Sequence, residues 1–202
     1  MIHISKGSGK MKGLNSINTN TLTNNFCQKM SKTKDLICNM CYSVSQLQTF
    51  RKNCTPSFQR NSDLLSREII DPYYLPQITD KIFRFSSHGE LINDYHFINL
   101  INICKKSYKT TFSLWTKQKQ IVNRVLKSYD KPKNLILIYS SPKVNTRYKL
   151  PENFDKVFTN YTEENTTLNC FGDCLNCRKC YTLTDKTQYI NEKIKKYSKK
   201  LN

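Results

Sequence analysis

Acidic residues, glycine, proline and long apolar runs are all scarce in this sequence, and each shortage excludes a class of protein. Only 5 glycines and 6 prolines occur among 202 residues, which excludes collagen-like and low-complexity chains. No stretch approaches the about 20 apolar residues that cross a bilayer. No apolar segment follows the basic first residues, as a secretory signal requires. We therefore predict a cytoplasmic protein without a membrane partner.

The shortage of acidic residues leaves a large positive charge. Asp and Glu number 15 against 33 Lys and Arg, so the formal net charge is +18. A charge of this size favours attraction to a polyanion, most often nucleic acid. The alternative is base composition, because Asn, Ile, Lys and Tyr are all abundant and an AT-rich genome produces that bias. The sequence leaves both explanations open.

Cysteine is the one unusual residue type that is plentiful, with 9 in the chain. In a reducing compartment, closely spaced cysteines predict metal ligands before disulfides. The strongest signal has the spacing C-x3-C-x2-C-x2-C and consists of Cys170, Cys174, Cys177 and Cys180. Four thiolates match either a tetrahedral zinc ion or a [4Fe–4S] cluster, and the spacing does not choose between them. The alternative is a set of reduced structural cysteines.

A second set of cysteines lies near the start of the chain. Cys38 and Cys41 form a C-x2-C pair, and we predict that they and Cys27 are also metal ligands, in a second site or completing the first. The role of Cys54 stays open. Cys104 falls on the apolar stripe of a predicted helix, where a free cysteine behaves as a small hydrophobic residue, so we assign it to the core.

Hydrophobic periodicity predicts an α/β fold. Predicted strands cover residues 81–86, 110–116, 134–139 and 156–159, with a weaker one at 19–23, and predicted helices cover 43–51, 56–70, 93–106, 118–128 and the basic end, 189–202. Strands that alternate with helices indicate a parallel sheet with crossover helices. We predict a small parallel sheet or incomplete (β/α) barrel with outer helices and a C-terminal cysteine-rich metal-binding segment. The predicted divisions are an α/β core over 1–160, the metal-binding segment over 161–185 and a basic tail over 186–202.

Polar residues follow one predicted strand at the place where parallel sheets build sites. Ser87, His88, Gly89 and Glu90 come directly after residues 81–86. Gly89 allows a backbone to approach closely, and the Glu90 carboxylate suits an amine, so these four residues are candidate cofactor ligands. The alternative is an ordinary strand-to-helix turn. Trp115 and Lys117 end the next strand, where they either contact a nucleotide or form a core tryptophan followed by a solvated lysine.

The order of these motifs resembles the phage "gene product 88" family over nearly the whole chain. The resemblance is carried by a series of segments: Ile4-Ser5-Lys6-Gly7 with Lys10, Cys27, Cys38-x2-Cys41-Tyr42, Arg84-Phe85 to Gly89-Glu90, Leu150-Pro151-Glu152-Asn153-Phe154 and Cys170 to Cys180. That family occurs in phages and mobile elements, which implies the host cytoplasm as the location. It implies no particular activity.

A more distant resemblance is to radical S-adenosylmethionine enzymes. In those proteins three cysteines after the first barrel strand hold a [4Fe–4S] cluster, and a G-G-E-like motif after the second strand holds the methionine amine. Cys27, Cys38 and Cys41 match the first position and Gly89-Glu90 matches the second, although the spacing here is C-x10-C-x2-C instead of C-x3-C-x2-C. The resemblance implies S-adenosylmethionine as a cofactor and an auxiliary cluster at Cys170 to Cys180.

Three functions follow as hypotheses, and the sequence leaves open whether the protein is an enzyme. The first is a phage or mobile-element protein with an iron–sulfur or zinc centre that binds nucleic acid through its basic surface. The second is a radical S-adenosylmethionine-like enzyme that acts on a nucleic acid or nucleotide. The third is a host-interaction or anti-defence protein whose partner is a host protein.

Overall fold

A computed structural model of the chain describes residues 1–163, 166–182 and 184–194. Within these residues the chain forms seven strands and six helices in an α/β arrangement. The strands are β1 (Ile4–Lys6), β2 (Asn15–Ile17), β3 (Ile82–Phe85), β4 (Thr111–Thr116), β5 (Leu135–Ser140), β6 (Lys156–Tyr161) and β7 (Tyr189–Lys193). The helices are α1 (Asn25–Ser31), α2 (Tyr42–Gln48), α3 (Thr55–Arg67), α4 (Asp94–Lys106), α5 (Lys119–Val125) and α6 (Cys174–Cys177).

The seven strands lie in one sheet in the same order as in the chain. β1 is antiparallel to β2, and each later neighbouring pair is parallel. In the centre of the sheet, Trp115 of β4 pairs with Ile138 of β5. Since β2 to β7 all run in one direction, their carboxyl ends meet at one edge of the sheet, which we call the carboxyl edge. The loops that leave this edge bring distant parts of the sequence together.

Helices α3, α4 and α5 cover one face of the sheet, and local sequence sets where they begin and end. In α4 the Asn93 side chain accepts a hydrogen bond from the His96 backbone N–H, the usual N-cap arrangement. Asp94 in its first turn and Lys105 and Lys106 in its last turn complement the helix dipole. α4 contacts both α3 and α5. The main core lies between these helices and the sheet and includes Leu65, Phe83, Phe85, Phe97, Leu100, Cys104, Phe112, Leu114, Val122, Leu135 and Leu137.

The opposite face of the sheet carries a smaller apolar cluster, which we call the Trp115 face. It consists of Leu14, Trp115, Ile136, Ile138 and Tyr181, with Met11, Ile82, Phe158, Cys174 and Cys180 packed against it. β5 contributes to both faces because successive side chains of a strand point to opposite sides. The Trp115 face is therefore covered by the segment around residues 11–14 and by the cysteine-rich segment, and no helix of the main core covers it.

Most predicted elements are confirmed within one to three residues, and two are wrong. Residues 19–23 form turns, because the strand of this region lies at Asn15–Ile17, where it pairs with β1 and β3. The predicted helix over 189–202 begins as a strand, since β7 adds to the open edge of β6. Its remainder, 195–202, lies outside the described residues. Cys104 is fully buried in the main core, as predicted.

Among the described residues, no helix is long and apolar enough to cross a bilayer.

Candidate metal centre at the carboxyl edge of the sheet

The loops after β2 and β3 are joined by Asn24, which places Cys27 at the carboxyl edge. The Asn24 side chain accepts a hydrogen bond from the Cys27 backbone N–H at 3.1 Å and so caps α1. Its amide also donates to the Glu90 backbone carbonyl at 3.1 Å. The first turn of α1 is therefore fixed beside the end of β3, and Cys27 is fixed with it.

Cys38 and Cys41 reach the same place from a short 3-10 turn. The turn covers Ile37–Met40, and Cys41 then caps the N-terminus of α2. The Ile37 N–H donates to the Pro142 carbonyl at 2.8 Å, which ties the turn to the loop after β5. Cys27, Cys38 and Cys41, which we call the N-terminal cysteine group, interact electrostatically with one another. All three thiols are free and partly buried.

Glu90 and Lys117 complete the surroundings of the N-terminal cysteine group. Glu90 is 5% exposed, and its carboxylate accepts hydrogen bonds from the Leu91 and Lys117 backbone N–H groups, both at 2.8 Å. The Thr116 hydroxyl donates to the same carboxylate at 2.5 Å. Burial raises the pKa of Glu90, and Lys117 and the three donors oppose that rise. The carboxylate is therefore fixed in position at the ends of β3 and β4.

Lys117 and the thiols of the N-terminal cysteine group influence each other electrostatically. Burial disfavours the Lys117 ammonium, but Cys38, Glu90, Cys41 and Cys27 together raise its pKa. In turn, burial raises the pKa values of Cys27 and Cys38, while Lys117 lowers them. The Lys117 Nζ also donates to the Ser140 hydroxyl at 2.9 Å. Burial prevails, so the pKa values of Cys27 and Cys38 stay raised and Lys117 only opposes that rise. The thiolate is the form of cysteine that binds metals.

The other three predicted cofactor ligands, Ser87, His88 and Gly89, contact other residues of the protein. The Ser87 hydroxyl donates to the Asn18 side chain at 2.5 Å. The His88 ring nitrogen Nδ1 shares a hydrogen bond with the Ser43 hydroxyl at 2.8 Å, and burial lowers the pKa of His88 to about 3. Gly89 has φ +82° and its Cα faces Thr19, whose carbonyl would lie 2.6 Å from an added Cβ. The close approach that this glycine allows is therefore to the protein's own backbone.

The four cysteines near the C-terminus also come together. Cys170, Cys174, Cys177 and Cys180, which we call the C-terminal cysteine group, line one cavity of about 20 Å³ with Gly172, Tyr181 and Ile190. The Asp173 side chain caps α6, and Arg178 ends that helix in the left-handed conformation with φ 52°. This tight turn brings Cys180 back beside Cys174, and both side chains pack against the Trp115 face.

Three cations, Lys10, Arg84 and Lys156, act electrostatically on thiols of the C-terminal cysteine group. Burial raises the pKa values of Cys170 and Cys174, and that of Cys180 to about 12. Lys10 acts against this rise at Cys170 and Cys174, and Arg84 acts against it at Cys174 and Cys180. Lys10 forms an ion pair with Glu192 at 2.5 Å.

The chemistry of these donors fits a metal centre, although the side chains are not in coordination positions. Among the described residues, no group of three or more His, Cys, Asp or Glu side chains stands in a geometry that could hold a metal ion. All the cysteines of both groups are free thiols. Each group gathers three or four thiols beside a cation, which is the half-buried Lys117 in one group and the buried Arg84 in the other. Thiolates are the ligands that zinc and iron–sulfur clusters use. Cys54 stands at the start of α3.

Two features of the site were not predicted from the sequence. The sequence predicts Lys117 in solvent or on a nucleotide, whereas it is half-buried and interacts electrostatically with the N-terminal cysteine group. Arg84 was noted only as part of a motif, whereas it lies on the Trp115 face with its guanidinium carbon 3.9 Å from the Trp115 ring centroid. The position of Arg84 could have been predicted because successive side chains of a strand point to opposite faces of the sheet. Phe83 and Phe85 face the main core, so the residue between them faces the other way.

Comparison with known proteins identifies a family without identifying an activity. The profile of a family described as Gene product 88 matches residues 4–196, nearly the whole chain. No curated protein matches the chain, and no solved structure matches it.

Proposed function

The chain belongs to the Gene product 88 family of phage proteins, and from that premise we propose that it is an iron–sulfur enzyme of the radical S-adenosylmethionine type acting on a nucleic acid or nucleotide. Cys27, Cys38 and Cys41 would hold a [4Fe–4S] cluster. Glu90 would bind the amine of S-adenosylmethionine. The C-terminal cysteine group would hold a second metal centre.

One observation carries the proposal: three successive parallel strands deliver the required groups to one point. The loop after β2 supplies the N-terminal cysteine group, the end of β3 supplies Glu90, and the end of β4 supplies Lys117. The strands lie in chain order, which is also the order in an open (β/α) barrel. In such proteins the chemistry lies at the carboxyl ends of the strands.

The residues present suit the parts that this chemistry needs. Three cysteine ligands leave one iron of a four-iron cluster open to another ligand. When bound, the cluster and S-adenosylmethionine supply radical chemistry, in which one electron from an external reductant starts the reaction. The chain's own contribution would be to hold the cluster with three thiolates and to exclude water by burial. Lys117 would offset the negative charge of the thiolates.

A basic surface beside the N-terminal cysteine group supports an anionic substrate. Lys29 at the end of α1 and Lys32 and Lys34 just after it are exposed. The segment between Cys27 and Cys38 that carries them contains a single acidic residue, Asp35. This segment is bridged through Leu36 to Lys143, another exposed lysine. Lysines placed around a site attract phosphate groups, and such binding weakens steeply as salt is added.

Iron and sulfide content after oxygen-free purification tests the proposal. We expect iron with matching sulfide, and a loss of about four iron atoms per chain when Cys27, Cys38 and Cys41 are replaced by serine. The matched control is Cys104→Ser, which changes a cysteine of the main core and should keep the iron. Reductive cleavage of S-adenosylmethionine to methionine should follow the iron content. Zinc without sulfide would overturn the proposal.

The net charge of +18 favours a second candidate function. In this alternative the metal centres are structural, and the protein binds nucleic acid through its basic surface without chemistry on it. Replacing Lys29, Lys32 and Lys34 by glutamine should then weaken binding to duplex DNA or RNA and reduce its dependence on salt. Binding that is unchanged in this variant would argue against the role of this surface. A host protein partner stays a prediction from the sequence.

A further inference from the structure

Arg84 of β3 is a buried cation on the Trp115 face. The residue is 8% exposed, and its guanidinium carbon lies 3.9 Å from the centroid of the Trp115 ring. Its Nη1 donates to the Met11 sulfur at 3.0 Å. Its Nε is buried and has no hydrogen-bond partner within the described part of the chain. A sulfur atom and an aromatic ring are weak partners for a full positive charge.

No carboxylate balances this charge in the part of the chain that the structure describes. The four ion pairs found there join other residues: Lys10 with Glu192, Arg124 with Asp94, Lys131 with Asp155 and Lys156 with Asp185. The neighbours that act electrostatically on Arg84 include Tyr181, Tyr42 and Cys174, none of which is a carboxylate. A buried charge without a counter-ion is strongly unfavourable. The arrangement therefore calls for an anion beside Arg84.

The C-terminal cysteine group supplies that anion when it binds a metal. Four thiolates around a zinc ion, or around a doubly positive [4Fe–4S] core, leave a net charge of about −2. Cys174 and Cys180 pack against the Trp115 face, on which the Arg84 guanidinium also lies. Lys10 also faces this group, but it already pairs with Glu192 at 2.5 Å. The unpaired guanidinium and the gathered thiols thus complement each other.

We propose that Arg84 is the internal counter-ion of an anionic four-thiolate metal centre formed by Cys170, Cys174, Cys177 and Cys180, and that it holds this centre against the Trp115 face. The inference rests on the second metal centre of the proposed function, and it does not depend on S-adenosylmethionine chemistry. It also holds for zinc and for iron–sulfur alike, because both centres are anionic. Arg84 acts here as a positioning residue.

Cobalt titration of the metal-free full chain tests the proposal. Replacing Cys27, Cys38 and Cys41 by serine removes the thiols of the N-terminal cysteine group, so that the cobalt absorption measures binding at the C-terminal cysteine group. We expect an intense thiolate-to-cobalt absorption band from a tetrahedral four-thiolate site. Arg84→Met should weaken Co²⁺ binding by about 10- to 100-fold, the usual effect of losing a partner of metal ligands. Arg84→Lys keeps the charge and should lose less affinity.

Thermal unfolding of the same variants separates a counter-ion from a merely structural side chain. In the metal-free protein, Arg84→Met removes an unpaired buried charge, so its melting temperature should equal or exceed that of the parent. In the cobalt-loaded protein the same substitution should lower the melting temperature. The matched control is Arg124→Gln, which removes an exposed arginine paired with Asp94 and should leave Co²⁺ affinity unchanged.

Three results would overturn the proposal. One is the absence of a thiolate-to-cobalt band, which would remove the C-terminal centre while leaving the N-terminal cluster to be judged by its own iron content. Another is Co²⁺ affinity in Arg84→Met within twofold of the parent. The third is equal destabilisation of the metal-free and cobalt-loaded forms by Arg84→Met, because that result assigns the residue to packing alone.

Discussion

Glu90→Gln is the substitution that most sharply tests the junction between β3 and β4. One carboxylate oxygen, Oε1, accepts from the Leu91 N–H at 2.8 Å and from the Thr116 hydroxyl at 2.5 Å. The other oxygen, Oε2, accepts from the Lys117 N–H at 2.8 Å. Glutamine has the same shape but only one acceptor oxygen, and its NH₂ group must face at least one of these donors. The least costly orientation leaves the Lys117 N–H without an acceptor.

The expected cost follows from that lost hydrogen bond. A buried donor left unsatisfied costs about 1–3 kcal/mol, and a hydrogen bond to a charged group contributes about 1.5–3 kcal/mol. Since these two effects overlap, we expect Glu90→Gln to lower the free energy of unfolding by about 2–4 kcal/mol. That is a large part of the about 5–15 kcal/mol that stabilises an ordinary domain.

Urea unfolding of the reduced, metal-free full chain at neutral pH measures this change. Glu152→Gln is the matched control, because Glu152 is exposed and its substitution should change stability by less than about 0.5 kcal/mol. A loss below about 1 kcal/mol for Glu90→Gln would refute the reasoning, since it would mean that the carboxylate does not hold the two strand ends together.

Three further substitutions test other parts of the structure. Gly89→Ala places a Cβ 2.6 Å from the Thr19 carbonyl at φ +82° and should lower the free energy of urea unfolding by about 3 kcal/mol or more. The control Gly9→Ala, at φ +57° in open space, should lower it by about 1–2 kcal/mol. Equal losses of stability in the two variants would contradict the close contact with Thr19. Burial lowers the pKa of His96 from 6.5 to about 4, so the unfolded chain binds the proton first. His96 alone should therefore lower the free energy of unfolding by about 3 kcal/mol between those two pH values, in addition to the fall that His88 causes. His96→Asn should flatten that fall, and an unchanged pH dependence would count against a neutral buried imidazole. Cys104→Ser puts a hydroxyl in the main core and should lower the free energy of unfolding by about 1–3 kcal/mol, with iron content unaffected. Loss of iron from the folded variant would show that Cys104 is a ligand.

The central strands and helices were predictable because their sequence patterns are local. The run from Leu135 to Ser140 is apolar without alternation, which is typical of a strand covered on both faces. Asn93 followed by an apolar stripe predicts the start of α4. The order of strands and helices then requires a parallel sheet.

The two errors of element type arose where the sheet decides the structure. Residues 189–193, with the sequence YINEK, carry no strong strand pattern, but they pair with the edge strand β6. Residues 15–17 form a strand only because β1 and β3 lie on either side of them. Pairing partners that are distant in sequence cannot be identified from a short polar segment.

The site was predictable in its residue types and unpredictable in its charge balance. The spacing of the cysteines identified both groups, and each group does gather in space. Nothing in the sequence indicates that Lys10 pairs with Glu192, because 182 residues separate them. Nor does it indicate that Lys117 is half-buried beside the thiols, since a lysine after a strand is most often solvated.

The most direct test of the account is the electron paramagnetic resonance spectrum of the protein, purified without oxygen and reduced, with and without S-adenosylmethionine. We expect a [4Fe–4S] signal that changes when S-adenosylmethionine is added, because the cluster held by Cys27, Cys38 and Cys41 has an open iron. The change should disappear in Cys27→Ser and persist in Cys174→Ser. A signal that does not respond to S-adenosylmethionine, or a protein that contains zinc and no sulfide, would contradict the central claim.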